Sequence, residues 1–492
     1  MWCTRTWTHP VLVHAVAAGR DVVHQKGASA DAVPGRGLAT IGPHMPRSFW
    51  VETLGCPKNQ VDSDKLTGTL LADGLVPAEE PGAADLVVVN TCAFIEEARQ
   101  ESIDTVLALS DARRDGAEVV VTGCMAERYG DELADALPEV DAVAGFGIPV
   151  GLRRRDGSTV VAAVDEDGVA AVPSFDLLTL PRPPATAPWA YVKVAEGCDR
   201  ACGFCAIPSF RGKQRSRTID DVLAEVDALG AREIVLVAQD LAAYGRDQGH
   251  GERAIVPLVG AVAERVDWVR LLYLYPSDLT DGLIDAMLAT GVPYFDLSLQ
   301  HVSPPLLRRM RRWGDGDRFL ERIRRIRDLE PDAAFRSNFI VGYPGETEDD
   351  HDQLLDFVDE AQLDWCGFFA YSPEEGTYAV GLDGEVPSGL VAARLAELRE
   401  AQDGITAARR DLLIGTTTTV LVDAPGEARS AREAPEIDGS VSVPTDLAVG
   451  EFHTVRIVDA LGPDLVAEPV LPTLPGARGA VDDPGRDVTV RA

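Results

Sequence analysis

Trp189-Ala190-Tyr191-Val192-Lys193-Val194-Ala195-Glu196-Gly197-Cys198-Asp199-Arg200-Ala201-Cys202-Gly203-Phe204-Cys205 is the stretch that decides the fold. Its first part, Ala190–Val194, is aromatic and β-branched enough for a buried strand, and Gly197 then opens a loop. Barrels of parallel strands carry their chemistry on loops at the C-terminal strand ends, where this loop falls. Cys198, Cys202 and Cys205 follow a C-x3-C-x2-C spacing. Three thiolates spaced in this way can hold three corners of a 4Fe–4S cube and leave the fourth iron open to a small molecule. A zinc knuckle short of one ligand is the competing reading. It fits less well, because structural zinc asks for four closed ligands, usually in C-x2-C pairs.

Downstream of this strand the pattern alternates. Strand-like runs at Glu233–Val237, Val269–Tyr273, Tyr294–Leu297, Phe335–Val341 and Trp365–Ala370 are separated by helical stretches. Together they predict an open, TIM-like (β/α) barrel over 189–415, closed by a long helix at Ser388–Arg410. Upstream, Phe49–Leu54, Asp85–Val89 and Glu118–Val121 alternate with helical Ser63–Leu71 and Glu96–Ser110, which predicts a parallel-sheet α/β domain over 45–150. Residues 151–188 read as a linker, because the proline-rich run from Leu180 to Pro188 sustains neither a helix nor a central strand. Short β runs at Thr417–Val422, Gly439–Val443 and Phe452–Ala460 predict a small all-β barrel over 416–470, followed by a flexible tail, 471–492. Residues 1–44 lack periodicity. They read as a disordered extension or a mis-set start, with translation expected at Met45.

The chain has 492 residues, 46% of them hydrophobic and 25% charged, enough for several cores. No run approaches the about 18 apolar residues of a membrane span, and His9, Pro10 and His14 interrupt the only apolar part of the opening stretch. A cytoplasmic protein without membrane contact is therefore expected. In that setting its 8 cysteines read as metal ligands rather than disulfides. A net charge of −33 argues against nucleic acid as the main target, since phosphate-binding proteins show basic stripes. The same charge is compatible with general acidity of the source proteome or with a surface for a basic partner.

A second signal is a threefold echo. Thr53-Leu54-Gly55-Cys56, Val89-Asn90-Thr91-Cys92 and Val121-Thr122-Gly123-Cys124 each place a cysteine just after a strand of the N-terminal domain. Parallel strands end on one edge, so the three loops can converge on one point. A lone cysteine reads as a small buried hydrophobe, but three in one structural position point to a second cluster at Cys56, Cys92 and Cys124.

Two three-cysteine sites in this order, followed by a small β domain, resemble the radical S-adenosylmethionine methylthiotransferase family, whose C-terminal module is the OB-like TRAM domain. Further motifs agree: Gln239-Asp240 and Tyr244-Gly245, Leu299-Gln300-His301, and Ile340-Val341-Gly342-Tyr343-Pro344-Gly345-Glu346-Thr347. The resemblance implies two 4Fe–4S clusters and S-adenosylmethionine as cofactors. It implies Phe204, Gln239, Asp240, Gly342, Gly345 and Glu346 as cofactor-binding residues, with Phe204 near the adenine, although plain core packing fits Phe204 equally. One S-adenosylmethionine is then expected to methylate sulfur held at the N-terminal cluster. A second is cleaved at the Cys198 site, and its radical takes hydrogen from an unactivated carbon. No acid–base residue is assigned, and His301 is expected to position or pack. An electron donor such as flavodoxin or ferredoxin is also implied.

Within the family, one branch modifies a tRNA adenosine (2-methylthio-N6-isopentenyladenosine type) and another the β-carbon of an aspartate of ribosomal protein uS12. Gly55-Cys56-Pro57-Lys58-Asn59, Asn90-Thr91-Cys92-Ala93-Phe94-Ile95 and Cys205-Ala206-Ile207-Pro208-Ser209-Phe210-Arg211-Gly212 resemble the uS12 branch. From Thr416 onward acidic residues outnumber basic ones and lysine is absent. That is a poor grip for tRNA but a suitable dock for a basic ribosomal protein, free or in the small subunit. Arg308-Arg309-Met310-Arg311-Arg312 reads as a basic solvated helix face, and Cys366 as a buried thiol ending a strand. A non-catalytic iron–sulfur or zinc protein that binds RNA through its β-barrel is the reading from another class.

Overall fold

The computed structural model describes residues 47–151, 175–249 and 254–470; the expectations for 1–44, for most of the linker and for the tail lie outside them. The N-terminal unit is a five-stranded parallel sheet. Its spatial order is Val76–Pro77, Ser48–Thr53, Leu86–Thr91, Glu118–Gly123, Ala142–Ala144. Val87, Val89, Val119 and Val121 pack on one face and Leu86, Val88 and Val120 on the other, so the central strands are apolar on both sides. This is the doubly wound order in which the chain reverses direction between the first and third strands, and ligands bind in the crevice that such a reversal opens. Cys56 and Cys92 follow those two strands.

The central unit consists of two three-stranded parallel sheets, joined by a parallel bridge between Leu274 and Leu297. Strands Trp189–Lys193, Glu233–Val237, Trp268–Leu271, Tyr294–Gln300, Ala334–Val341 and Trp365–Ala370 thus follow one another in space as in sequence, an open half-barrel. Helices Ile219–Leu229, Ile255–Ala263, Asp281–Leu288, Gly316–Leu329 and Glu348–Ala361 cover its outside. Thr218, Thr280, Asp315 and Thr347 each cap one of them with a side chain. The helix Ser388–Asp411 leads to a closed five-stranded barrel built from Thr417–Ala424, Glu427–Ser430, Val441–Ser442, Phe452–Leu461 and Asp464–Pro469.

The three units are fastened to one another. Phe175 and Leu177 of the linker are buried against Phe49, Leu66 and Leu70 of the N-terminal sheet, and Leu178 O accepts from the buried Lys65 Nζ at 2.9 Å. Val61 of helix Pro57–Ala72 packs with the barrel-lumen residues Tyr191, Val235 and Leu272. From the opposite end the loop before Val441 enters the lumen. There Tyr191 Oη donates to Pro435 O at 2.8 Å and Arg270 Nη1 to Ala431 O at 3.0 Å.

Two sequence expectations need correction. Cys366 does not end a strand; it is the second residue of Trp365–Ala370, and burial pushes its thiol well above the ordinary range. The Arg308–Arg312 run is a solvated helix face only in part, at the exposed Arg308. Arg312 Nη1 donates to Cys202 Sγ at 3.2 Å, and the Arg311 guanidinium lies 3.6 Å from the Tyr378 ring centroid. Helix Pro304–Arg309 ends inside this run, so the later arginines turn back over the barrel mouth.

Candidate active site

The first cysteine site forms where three strands end. Cys56 caps helix Pro57–Ala72, with Pro57 at its first position, and Cys124 opens helix Cys124–Ala136. Cys92 sits in the intervening loop, where its N–H donates to Ser102 Oγ at 3.1 Å. Asn59 ties the loops together. Its Nδ2 donates to Leu54 O at 2.8 Å and to Thr91 O at 3.1 Å, while its Oδ1 faces Cys124 Sγ at 3.6 Å. Gly55 has φ of 95°, and a β-carbon on it would lie 2.8 Å from Cys92 Cβ, so only glycine lets the first two loops meet.

The charges around these thiols are uneven. Burial works to raise the Cys56 thiol, but Lys58, Arg211 and the N–H groups of the helix start together hold it below the ordinary value. Burial raises the Cys124 thiol, and Arg211 offsets this only in part. Arg211 Nη2 donates to Cys124 Sγ at 3.0 Å and to Asn59 Oδ1 at 2.8 Å. Its Nη1 donates to Glu196 Oε1 at 2.9 Å and to Asp62 Oδ2 at 3.2 Å, and Lys193 pairs with the same two carboxylates.

The second site lies on the loop after Trp189–Lys193. Arg200 N donates to Cys198 Sγ at 3.4 Å and Cys205 N to Cys202 O at 3.2 Å. Burial leads in lifting the Cys198 thiol to about 11 and the Cys205 thiol to about 12, and the neighbouring Cys202 adds to both. A polynuclear cation that took up the charge of Cys198 and Cys205 would offset this cost of ionising them. No three His, Cys, Asp or Glu side chains among the described residues close around a single-ion volume. Each loop set offers three sulfurs, the number that can hold three corners of a 4Fe–4S cube.

The other expected cofactor residues surround this loop. Asp240 Oδ2 accepts from Arg200 Nε at 2.5 Å, and Arg200 also pairs with Asp278, so Asp240 steadies the cysteine loop from behind. Gln239 Nε2 donates to Glu196 Oε1 at 2.6 Å, while its own Oε1 is buried without a partner among the described residues. Phe204 packs partly buried against the barrel core. Gly342 and Gly345, with φ of 81° and 88°, shape a turn that only glycine adopts without strain. Glu346 spans that turn. Its Oε2 accepts from Gly342 N at 2.5 Å and its Oε1 from Arg394 Nη1 at 2.9 Å. Its carboxylate is thus spent on the backbone and on Arg394. Gly203 N donates to Met310 O at 2.8 Å and Ala379 N to Gly203 O at 2.8 Å, fixing the loop to the mouth. His301 is fully buried and accepts from Ser303 N at Nδ1; burial lowers its pKa to about 3, so the ring is neutral.

Reading the sequence did not assign Lys58, Asn59, Arg200, Arg211, Tyr273 or Arg312 to the site. Lys58, Asn59 and Arg200 adjoin cysteines and could have been flagged by proximity. Tyr273 and Arg312 carry no such signal.

A half-barrel with a C-x3-C-x2-C loop at its mouth defines a radical S-adenosylmethionine enzyme, and the Radical SAM superfamily model matches residues 192–358. On either side, a family described as uncharacterized, UPF0004, matches 48–145, and the TRAM domain matches 414–470. The ribosomal protein uS12 methylthiotransferase RimO of Kineococcus radiotolerans is 41% identical, over 86% of this chain and 98% of that protein. The RimO proteins of Cutibacterium acnes and Streptomyces coelicolor are each 42% identical, over 85% and 87% of this chain and 97% and 98% of theirs. The chain belongs to the ribosomal protein uS12 methylthiotransferase family. Among solved structures, the cobalamin-dependent S-adenosylmethionine radical enzyme OxsB is a distant likeness, with a TM-score of 0.42 and 13% identity over 73% of this chain and 56% of that one.

Proposed function

We propose that this protein transfers a methylthio group to the β-carbon of an aspartate of ribosomal protein uS12, with S-adenosylmethionine as both methyl donor and radical source. The observation that carries the reading is a cysteine triad on the loops after strands of each α/β unit, with Arg211 of the short helix after Cys205 donating to Cys124 Sγ, in a chain 41% identical to a uS12 methylthiotransferase. Cys56, Cys92 and Cys124 hold one 4Fe–4S cluster, and Cys198, Cys202 and Cys205 the other. With S-adenosylmethionine they supply the sulfur carriage and radical chemistry that side chains lack. The chain itself holds and orients. Arg200 and Asp240 fix the radical-site loop, Arg312 donates to Cys202 Sγ, and the turn held by Glu346 and Arg394 walls the mouth. Buried and neutral, His301 packs beneath that wall and moves no proton. Gln239 keeps one buried oxygen free for a ligand donor.

No helix among the described residues is long and apolar enough to cross a membrane; the cytoplasm, where ribosomal proteins are made and assembled, is the place of action that a uS12 substrate implies. An electron carrier such as flavodoxin or ferredoxin completes the system. Anaerobic reconstitution followed by mass spectrometry of uS12 tests the reading. About eight irons per chain, release of 5′-deoxyadenosine and a methylthio-aspartate are expected. About four irons without cleavage refutes the enzyme, and methylthiolated tRNA beside unchanged uS12 moves the substrate to the other branch.

A further inference from the structure

We infer that Lys58 and the Tyr273 hydroxyl form a receptor for the carboxylate of the substrate side chain, so that an acidic residue is selected between the two cysteine sites. The inference rests on the proposed reading that the target is an aspartate of uS12. Lys58 lies in the first turn of helix Pro57–Ala72, two residues beyond Cys56, and is only 9% exposed. Its Nζ stands 3.4 Å from the centroid of the Tyr273 ring. The buried cations around it all have carboxylates: Lys193 and Arg211 share Asp62 and Glu196, Lys65 takes Glu225, and Arg200 takes Asp240. Among the described residues Lys58 has no such partner. A ring face attracts an ammonium but accepts none of its three hydrogen bonds in the way an anion does.

Tyr273 brings the second half of the receptor. It follows strand Trp268–Leu271 at the C-terminal edge of the barrel, where chemistry on this fold is sited. Its φ of 66° is a left-handed conformation that an aromatic residue adopts only under constraint, and its N–H is held by Asp296 Oδ2 at 2.9 Å. The hydroxyl is buried with no hydrogen-bond partner among the described residues. A buried polar group left unpaired invites a ligand. An ammonium and a phenol side by side offer two donors to the two oxygens of one carboxylate, and the charge-assisted bonds favour it over a neutral amide or nucleobase. Lys58 also faces Cys56. There it shares the work of holding the thiol down with Arg211, whose own hydrogen bond goes to Cys124 Sγ.

The reconstituted enzyme is titrated with labelled uS12 and with uS12 whose target aspartate is asparagine, and affinities are normalised to iron-loaded chains. Wild type should prefer the aspartate form by at least about tenfold. Lys58→Met and Tyr273→Phe should each erode that preference, and Lys58→Arg should keep most of it. Should Lys58→Met fail to load iron, Tyr273→Phe carries the test, because it removes one oxygen that has no hydrogen-bond partner among the described residues and leaves every sulfur's hydrogen bonds in place. An undiminished preference in both variants, with uS12 still methylthiolated by wild type, overturns the receptor and leaves the function standing. A wild-type protein that neither binds nor modifies uS12 overturns both.

Discussion

Arg211→Met keeps the apolar stem and removes one charge from the junction of two units. Arg211 is 8% exposed and lies on the short helix Ile207–Arg211 that follows the radical-site cysteines. It donates to Asp62, Glu196, Asn59 and Cys124, all of which except Glu196 belong to the N-terminal unit. Without it, Lys193 is the one cation left, among the described residues, to pair with both Asp62 and Glu196, and Gln239 adds only a neutral donor to Glu196. Breaking a buried pair in this way costs about 3–5 kcal/mol. A chain of several folding units has no single unfolding free energy, so the loss is best read locally, as amide exchange of helix Pro57–Ala72. Exchange there should accelerate by roughly a hundredfold or more if opening of this junction governs it. The charge has a separate consequence. At an effective dielectric of about 20 and a separation of about 6 Å it favours an added electron at the Cys56 site by about 3 kcal/mol. For a one-electron couple that is about 120 mV, so Arg211→Met should lower the N-terminal cluster's potential, with incoming water reducing the shift to about half. Redox titration followed by electron paramagnetic resonance reads it. Arg211→Lys should restore most of the potential but not the exchange protection, because an ammonium lacks the planar fork that reaches four partners. Unchanged exchange and an unchanged potential in Arg211→Met would refute the reasoning.

Cys124→Ala should drop iron from about eight to about four per chain while 5′-deoxyadenosine is still released; Cys198→Ala should lose the same iron and all cleavage, as iron assay and chromatography of the nucleoside will show. Glu196 carries a pH signature. Burial opposes its charge, but Arg211 and Lys193 hold its carboxyl well below the usual range. The stability it contributes is therefore complete above the unfolded value of about 4.3 and is lost as pH falls from there toward the folded value. Glu196→Gln should flatten the acid limb of N-terminal unfolding followed by circular dichroism, and an unaltered limb would count against the network. His301→Gln should leave the pH–rate profile between about pH 5 and 9 unchanged, since a ring with a pKa of about 3 does not titrate there. Loss of a limb near pH 6 would make it an acid–base group after all.

Much of this was legible in the sequence because it is local. The expected spans of Glu233–Val237 and Trp365–Ala370 coincide with the observed strands, for which runs of apolar and β-branched residues suffice. The cysteine loops were visible because residue type, spacing and position after a strand agree. Helix Pro57–Ala72 was placed too late, at Ser63: Pro57 reads as a break, whereas at a helix's first position it is favoured. The edge strands Val76–Pro77 and Ala142–Ala144 are too short for any periodicity and exist through pairing. Arg211 was hidden for another reason. Its partners Cys124 and Asn59 lie 87 and 152 positions away, and no local pattern reports a contact across two units.

The distant contacts also explain how separate units keep two reactive sites in register. Asp296 sits in the barrel lumen with one oxygen on Tyr273 N–H and the other on Arg336 Nη1, at 2.9 and 3.1 Å. The Nε of Arg336 in turn reaches Asp438 Oδ1 of the C-terminal unit at 3.2 Å, and Tyr294 Oη donates to Asp438 at 2.6 Å. A line of charge-assisted bonds thus runs from the C-terminal barrel up the lumen to the residue against which Lys58 rests. Its members are buried, so each bond broken would strand a charge at a cost of several kcal/mol. Such a line resists displacement. A basic protein docked on the lysine-free C-terminal barrel would therefore sit at a fixed height relative to Tyr273 and the cysteines, and an aspartate delivered between the two sites would meet them without either unit having to move.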